Sequence, residues 1–177
     1  MEQVRSGYFE QTDHISCGPI ATLNAEIWLG KSVGKSVIDT IRNKNEEWSV
    51  LGPRRKLCNT KYNNYPYRGT LWEDMSRALS RLGIVYASTT DINCIKSSLE
   101  SGYGIILLYQ KPNNYQNPNN YQKTNEYHYI FVYADGNRTY TINGDQKYYT
   151  RWDTFERSCL SSLSNSKNNY SRAWIIG

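Results

Sequence analysis

Residues 128–149, HYIFVYADGNRTYTINGDQKYY, alternate runs of Tyr, Ile, Val and Thr with the turn signals Asp135-Gly136 and Asn143-Gly144. β-branched and aromatic runs separated by such dipeptides read as antiparallel strands joined by tight hairpins, here over 128–133, 138–143 and 147–149. Two more strands are expected, at 105–108 and 173–176, and a short helix capped by Asp153 interrupts the region.

Upstream the apolar period changes from two to that of a helix. Ile20, Leu23, Ile27 and Trp28 recur at helical spacing after Pro19, whose missing N–H is no loss in a first turn, and Gly30 marks the stop. Val33, Val37, Ile38 and Ile41 mark a second helix. Thr70 to Glu73 has the form of a capping box leading through Met75, Leu79 and Leu82 to Gly83. Asp91 caps a helix carrying Ile92, Ile95 and Leu99, which Gly102 closes. Helices first and strands second predict an α+β fold, with N-terminal helices packed on a C-terminal antiparallel sheet.

At 177 residues and 38% hydrophobic, the chain suits a single domain spanning 1–177. Its apolar stretches fall far short of the ~20 residues a membrane-spanning helix needs, and residues 1–11 lack a signal-peptide pattern. The cysteines, Cys17, Cys58, Cys94 and Cys159, include no CxxC pair, which predicts free thiols in the cytoplasm or another reducing compartment. A net charge of +5 is spread along the chain apart from Arg54, Arg55 and Lys56, so nucleic acid is not the expected partner. The 16 tyrosines include four in Asn-Asn-Tyr triplets at irregular spacing. Two of those triplets fall within the polar segment 111–126, which is expected to be a long surface loop.

Chemistry concentrates in residues 11–19, QTDHISCGP. They place the thiol of Cys17 at the start of a helix, where unpaired N–H groups and the positive end of the helix dipole favour the nucleophilic thiolate. Gly18 leaves room beside the sulfur for an acyl carbon. Such a nucleophile needs a base and an oxyanion-binding group. The chain has two histidines. His14, three residues before Cys17 on the same irregular segment, is a poor mount for a rigid base. His128 opens a strand and is the better one. If Asp135-Gly136 is the two-residue hairpin loop, His128 faces Asn143; if Gly136-Asn137 is, it faces Asp145. The turn type favours Asn143, and charge favours Asp145.

Together Gln11, Cys17-Gly18-Pro19, His128 and Asn143 or Asp145, with the helix, glycine and apolar strand of residues 95–108, resemble the papain-like cysteine peptidases, most of all the bacteriocin-processing double-glycine branch. The resemblance implies a papain-like fold and a catalytic triad of Cys17, His128 and Asn143 or Asp145. It also implies that Gln11 holds the oxyanion together with the N–H of Cys17. The chain departs from that family where Gln146 follows Asp145 in place of the usual proline, and in the length of segment 111–126. Residues 1–177 include no transporter or ATPase segment of the kind many members of that branch carry, so leader-peptide processing during export is not the expected role. The expected activity is a thiol hydrolase cleaving an amide bond of a peptide or protein, with no metal or cofactor. Acyl transfer through the same site, or a non-catalytic binding module on a peptidase fold, are the alternatives.

Overall fold

The computed structural model describes residues 8, 17–31, 60–61, 68–69, 72–110, 127–143, 146–164 and 170–177, with backbone alone at 60–61, 68–69, 143 and 146–150. The expected helix at 33–41, the capping residue Thr70 and the loop 111–126 lie outside the described residues.

The first element, α1 (Cys17–Trp28), starts two residues ahead of Pro19, so the proline falls within the first turn. The Thr22 hydroxyl donates to the Gly18 carbonyl at 2.9 Å, bracing that turn. At the other end Gly30 takes φ +73, the Gly30 N–H bonds the Ile27 carbonyl, and the Lys31 N–H bonds the Glu26 carbonyl at 2.9 Å. This pair closes a helix on a left-handed residue, which glycine adopts without penalty.

Beyond α1 come the short pair β1 (Thr60–Lys61) and β2 (Arg68–Gly69), then α2 (Trp72–Arg81), β3 (Tyr86–Thr89), α3 (Ile92–Glu100) and β4 (Gly104–Gln110). The hairpin strands β5 (Tyr127–Asp135), β6 (Arg138–Asn143) and β7 (Gln146–Thr150) follow. A short helix α4 (Trp152–Phe155) continues as a π turn through Leu160 and a 3-10 turn through Ser164, and β8 (Arg172–Ile176) ends the chain. As the sequence predicts, the Asp91 carboxylate caps α3 by accepting the Asn93 N–H at 2.8 Å.

Six strands form one antiparallel sheet in the order β3-β8-β4-β5-β6-β7. The α+β class holds, with a difference in layering: helices cover both faces of the sheet. One face carries Ile106, Leu108, Tyr129, Phe131, Tyr133, Trp174 and Ile176 and packs on α1 and α2 through Ala21, Ala25, Met75 and Leu79. The other carries Ile105, Leu107, Tyr109, Ile130, Val132 and Ala173 and packs on α3 through Ile95 and Leu99, and on α4 and the turns after it through Phe155, Leu160 and Leu163. Central strands buried on both sides must be apolar at successive positions. That is why β4 and β5 are nearly continuous apolar runs.

The hairpin register corrects the expected turn. Asp135 pairs with Arg138, and Phe131 with Ile142, so the loop is Gly136-Asn137 and not Asp135-Gly136. Gly136 takes φ +58 at the first loop position, and asparagine is among the few other residues that tolerate the left-handed region at the second.

Candidate active site

Cys17 is the first residue of α1 and is half-buried against the aromatic cluster on the α1 face of the sheet. The first-turn N–H groups of a helix have no intrahelical acceptor, and the aligned peptide dipoles make that end positive. Both effects favour an anion at the Cys17 sulfur. Gly18 beside it adds no side chain. Trp28, at the far end of α1, lies with its ring 5.9 Å from that of Phe131, so the helix is laid directly across the strand that carries His128.

His128 is the second residue of β5, pairs with Tyr109 and is 8% exposed. Its ring meets that of Tyr109 edge-on, 6.0 Å between centroids. The pleat decides which layer it joins. Tyr129 and Phe131 face α1, whereas Ile130, Val132 and Tyr109 belong to the cluster under α3. Regular pairing through Gln110 and Tyr127 keeps this alternation to the start of the strand. His128 therefore stands on the face opposite the cluster against which Cys17 packs. The structure brings their elements together and assigns the two side chains to different layers.

Gln11, His14, Asp145 and Cys58 lie outside the described residues. Asn143 ends β6, where its backbone pairs with Gln146 of β7. The register Phe131 with Ile142 shifts the hairpin by two residues from the one that would set Asn143 opposite His128. Continued by one pair, it aligns Asn143 with Ile130, and β6 ends there because Asn143 pairs with Gln146 of β7. The turn argument for Asn143 is thereby lost and the charge argument for Asp145 is left: on the thiol-hydrolase reading, Asp145→Ala should reduce turnover more than Asn143→Ala, by about tenfold or more, the scale of a hydrogen bond to a charged group. Steady-state kinetics of the two variants check this, and a dominant loss at Asn143 would contradict it.

Cys94 and Cys159 are half-buried, and neither forms a disulfide. Burial pushes the Cys159 thiol above its ordinary value, and a hydrogen bond with Ser158 only partly offsets this. Desolvation disfavours the charged form, so Cys159 is a thiol near neutral pH and a poor nucleophile there.

Several residues around the sheet escape sequence reasoning. Tyr8, buried at 6% exposure, packs its ring 6.0 Å from Phe131 and 5.8 Å from Tyr133, roofing the α1 face. Trp72 opens α2 with the Arg172 guanidinium 4.0 Å from its ring centroid. Tyr127 and Tyr170 meet edge-on at 5.8 Å. Only the last two pairs carried a readable signal, polar or amphipathic residues at the very ends of apolar strands.

A scan against protein-family models finds no match to the chain, and a search of curated proteins finds none either.

Proposed function

We propose that the protein is a papain-like thiol hydrolase that cleaves an amide bond in a peptide or protein, with Cys17 as nucleophile. The observation that carries this reading is the placement of Cys17 as the first residue of α1, half-buried and followed by Gly18, on a helix laid across the strand that bears His128. Cys17 attacks the acyl carbon, forming a C–S bond as the carbonyl electrons move onto oxygen. The Cys17 N–H and the Gln11 amide hold that oxyanion. His128 takes the thiol proton and returns it to the departing amine, and water then releases the acid from the thioester. Asp145 or Asn143 orients the imidazole.

This chemistry requires the His128 ring to leave the edge of Tyr109 and turn past the beginning of β5 toward α1. A χ1 rotation alone leaves Cβ on the α3 face, so the movement needs a change of backbone pairing at the first residues of β5. The alternation that sets His128 on the α3 face favours the second reading, a binding module on a peptidase fold, in which Cys17 is a rim thiol.

Incubation with an activated aryl ester, followed by intact-mass analysis and peptide mapping, separates the two. The hydrolase forms an acyl adduct on Cys17 that decays to free acid. If an added amine captures the acyl group faster than water does, the activity is acyl transfer. Absence of an adduct at Cys17, or equal labelling of Cys94, would leave the binding module.

A further inference from the structure

Among the described residues the Arg172 guanidinium has no polar partner. Arg172 begins β8, opposite Leu108 of β4, and lies on the face that carries Trp174 and Ile176 and packs on α1. Its guanidinium carbon is 4.0 Å from the centroid of the Trp72 ring, and among the described residues this contact is its one interaction. A cation over an indole face is held by the ring's π electrons and needs none of its N–H donors for that contact. Those donors form the fork that matches a carboxylate.

The surroundings suit a ligand. Arg172 and Trp72 are half-buried, and so is Tyr127, which joins the same sheet face. Tyr170, two residues before Arg172, is 56% exposed, with its ring edge-on to Tyr127 at 5.8 Å. Cys17, Trp72 and Tyr127 all pack against one apolar cluster. A guanidinium held over an indole loses little freedom when a ligand arrives, and the aromatic flanks reduce competition from water.

We infer that Arg172, braced on Trp72 and flanked by Tyr127 and Tyr170, forms a carboxylate-binding subsite on the Cys17 side of the sheet. It selects peptides that bear an acidic side chain or a terminal carboxylate. Carboxylate binding stands on this geometry alone; a part in choosing the bond to be cleaved rests on the thiol-hydrolase reading. A lone guanidinium fits one carboxylate better than a nucleic-acid backbone, which is held by several cations at once.

The test measures equilibrium binding to the full chain carrying Cys17→Ala, so that no turnover is needed. The probes are heptapeptide libraries labelled with an uncharged fluorophore, capped at both ends and random over non-acidic residues, with one central position fixed as Glu or as Gln. A third library carries Gln and a free C-terminal carboxylate. Either carboxylate library should bind about tenfold or more tighter than the capped Gln library, as expected for a charge-assisted bidentate contact. The stronger of the two identifies the source of the carboxylate. Arg172→Gln should erase the preference, and Arg172→Lys should keep only part of it. Equal binding of all three libraries to the Cys17→Ala protein, which needs no change at Arg172, would overturn the inference. So would a preference that survives Arg172→Gln, or displacement of the Glu library by oligo-dT at lower concentration than by unlabelled Glu peptide. If the preference holds while the unsubstituted protein forms no acyl adduct at Cys17, the subsite stands and the hydrolase fails.

Discussion

Cys17→Ala should abolish cleavage, lowering kcat by ~10,000-fold or more, the scale seen when a nucleophile is removed from an enzyme that works through a covalent intermediate. No other described thiol is positioned to take over. Cys159 lies in the π turn that continues α4, where burial raises its thiol above its ordinary value, and Cys94, in the first turn of α3, shares that turn with the capping carboxylate of Asp91, a negative charge that disfavours a thiolate. Substrate affinity should change little, because in the proposed mechanism the sulfur contributes to bond making and not to recognition. The decisive comparison is single-turnover kinetics beside binding of the same peptide. Retained turnover in the alanine variant would remove Cys17 from the chemistry altogether.

The second large effect falls on the fold. Trp174 is completely buried at the middle of β8, its ring 5.9 Å from that of Tyr129, and its indole N–H donates to the Ser76 hydroxyl of α2 at 2.9 Å. Trp174→Ala opens a cavity between the sheet and α2 and leaves the Ser76 hydroxyl without this donor. It should cost about 3–5 kcal/mol, a large part of the ~5–15 kcal/mol by which domains are stable. Val85, 82% exposed, is the control, and Val85→Ala should stay within about 0.5 kcal/mol. Urea denaturation of both variants measures the difference. A loss below about 1 kcal/mol at Trp174 would mean that α2 does not depend on this contact.

Local chemistry was the legible part of the sequence. Pro19 and Gly30 bracket α1, Asp91 caps α3, and Gly83 and Gly102 follow the ends of α2 and α3, because caps and left-handed stops act within a turn of the chain. Strands β4 to β8 were readable from their composition. Strand β3 was not: Tyr86, Ala87, Ser88 and Thr89 show no apolar alternation, and they form a strand because β8, nearly ninety residues on in the chain, pairs with them. The layering was hidden for a similar reason. Ile95 and Leu99 announce that α3 has an inward side, but nothing in their spacing says which face of the sheet it covers.

The site was legible to a similar depth. Placement of a cysteine at a helix start depends on nearby residues, and Cys17 is found there. The histidine's partner depends on register, and Asp135-Gly136-Asn137 contains two overlapping loop dipeptides whose choice moves the pairing by two residues. Because that shift is even, both registers leave every β5 side chain on the same face of the sheet. Which face it is follows from the layering, and that could not be read from Cys17 and His128 alone.

In the proposed mechanism Cys17 is a thiolate supported by His128, and the pH dependence of Cys17 alkylation in the unsubstituted and His128→Ala proteins decides whether it is. A thiolate paired with an imidazolium reacts with iodoacetamide at pH values well below the ordinary thiol pKa of about 8.5, and removal of the imidazole should move the profile of Cys17 up toward that value. Cys159, raised by burial, should label only at more alkaline pH in both proteins. Superimposable Cys17 profiles with and without His128 would contradict the account and leave the histidine as a sheet residue packed against Tyr109.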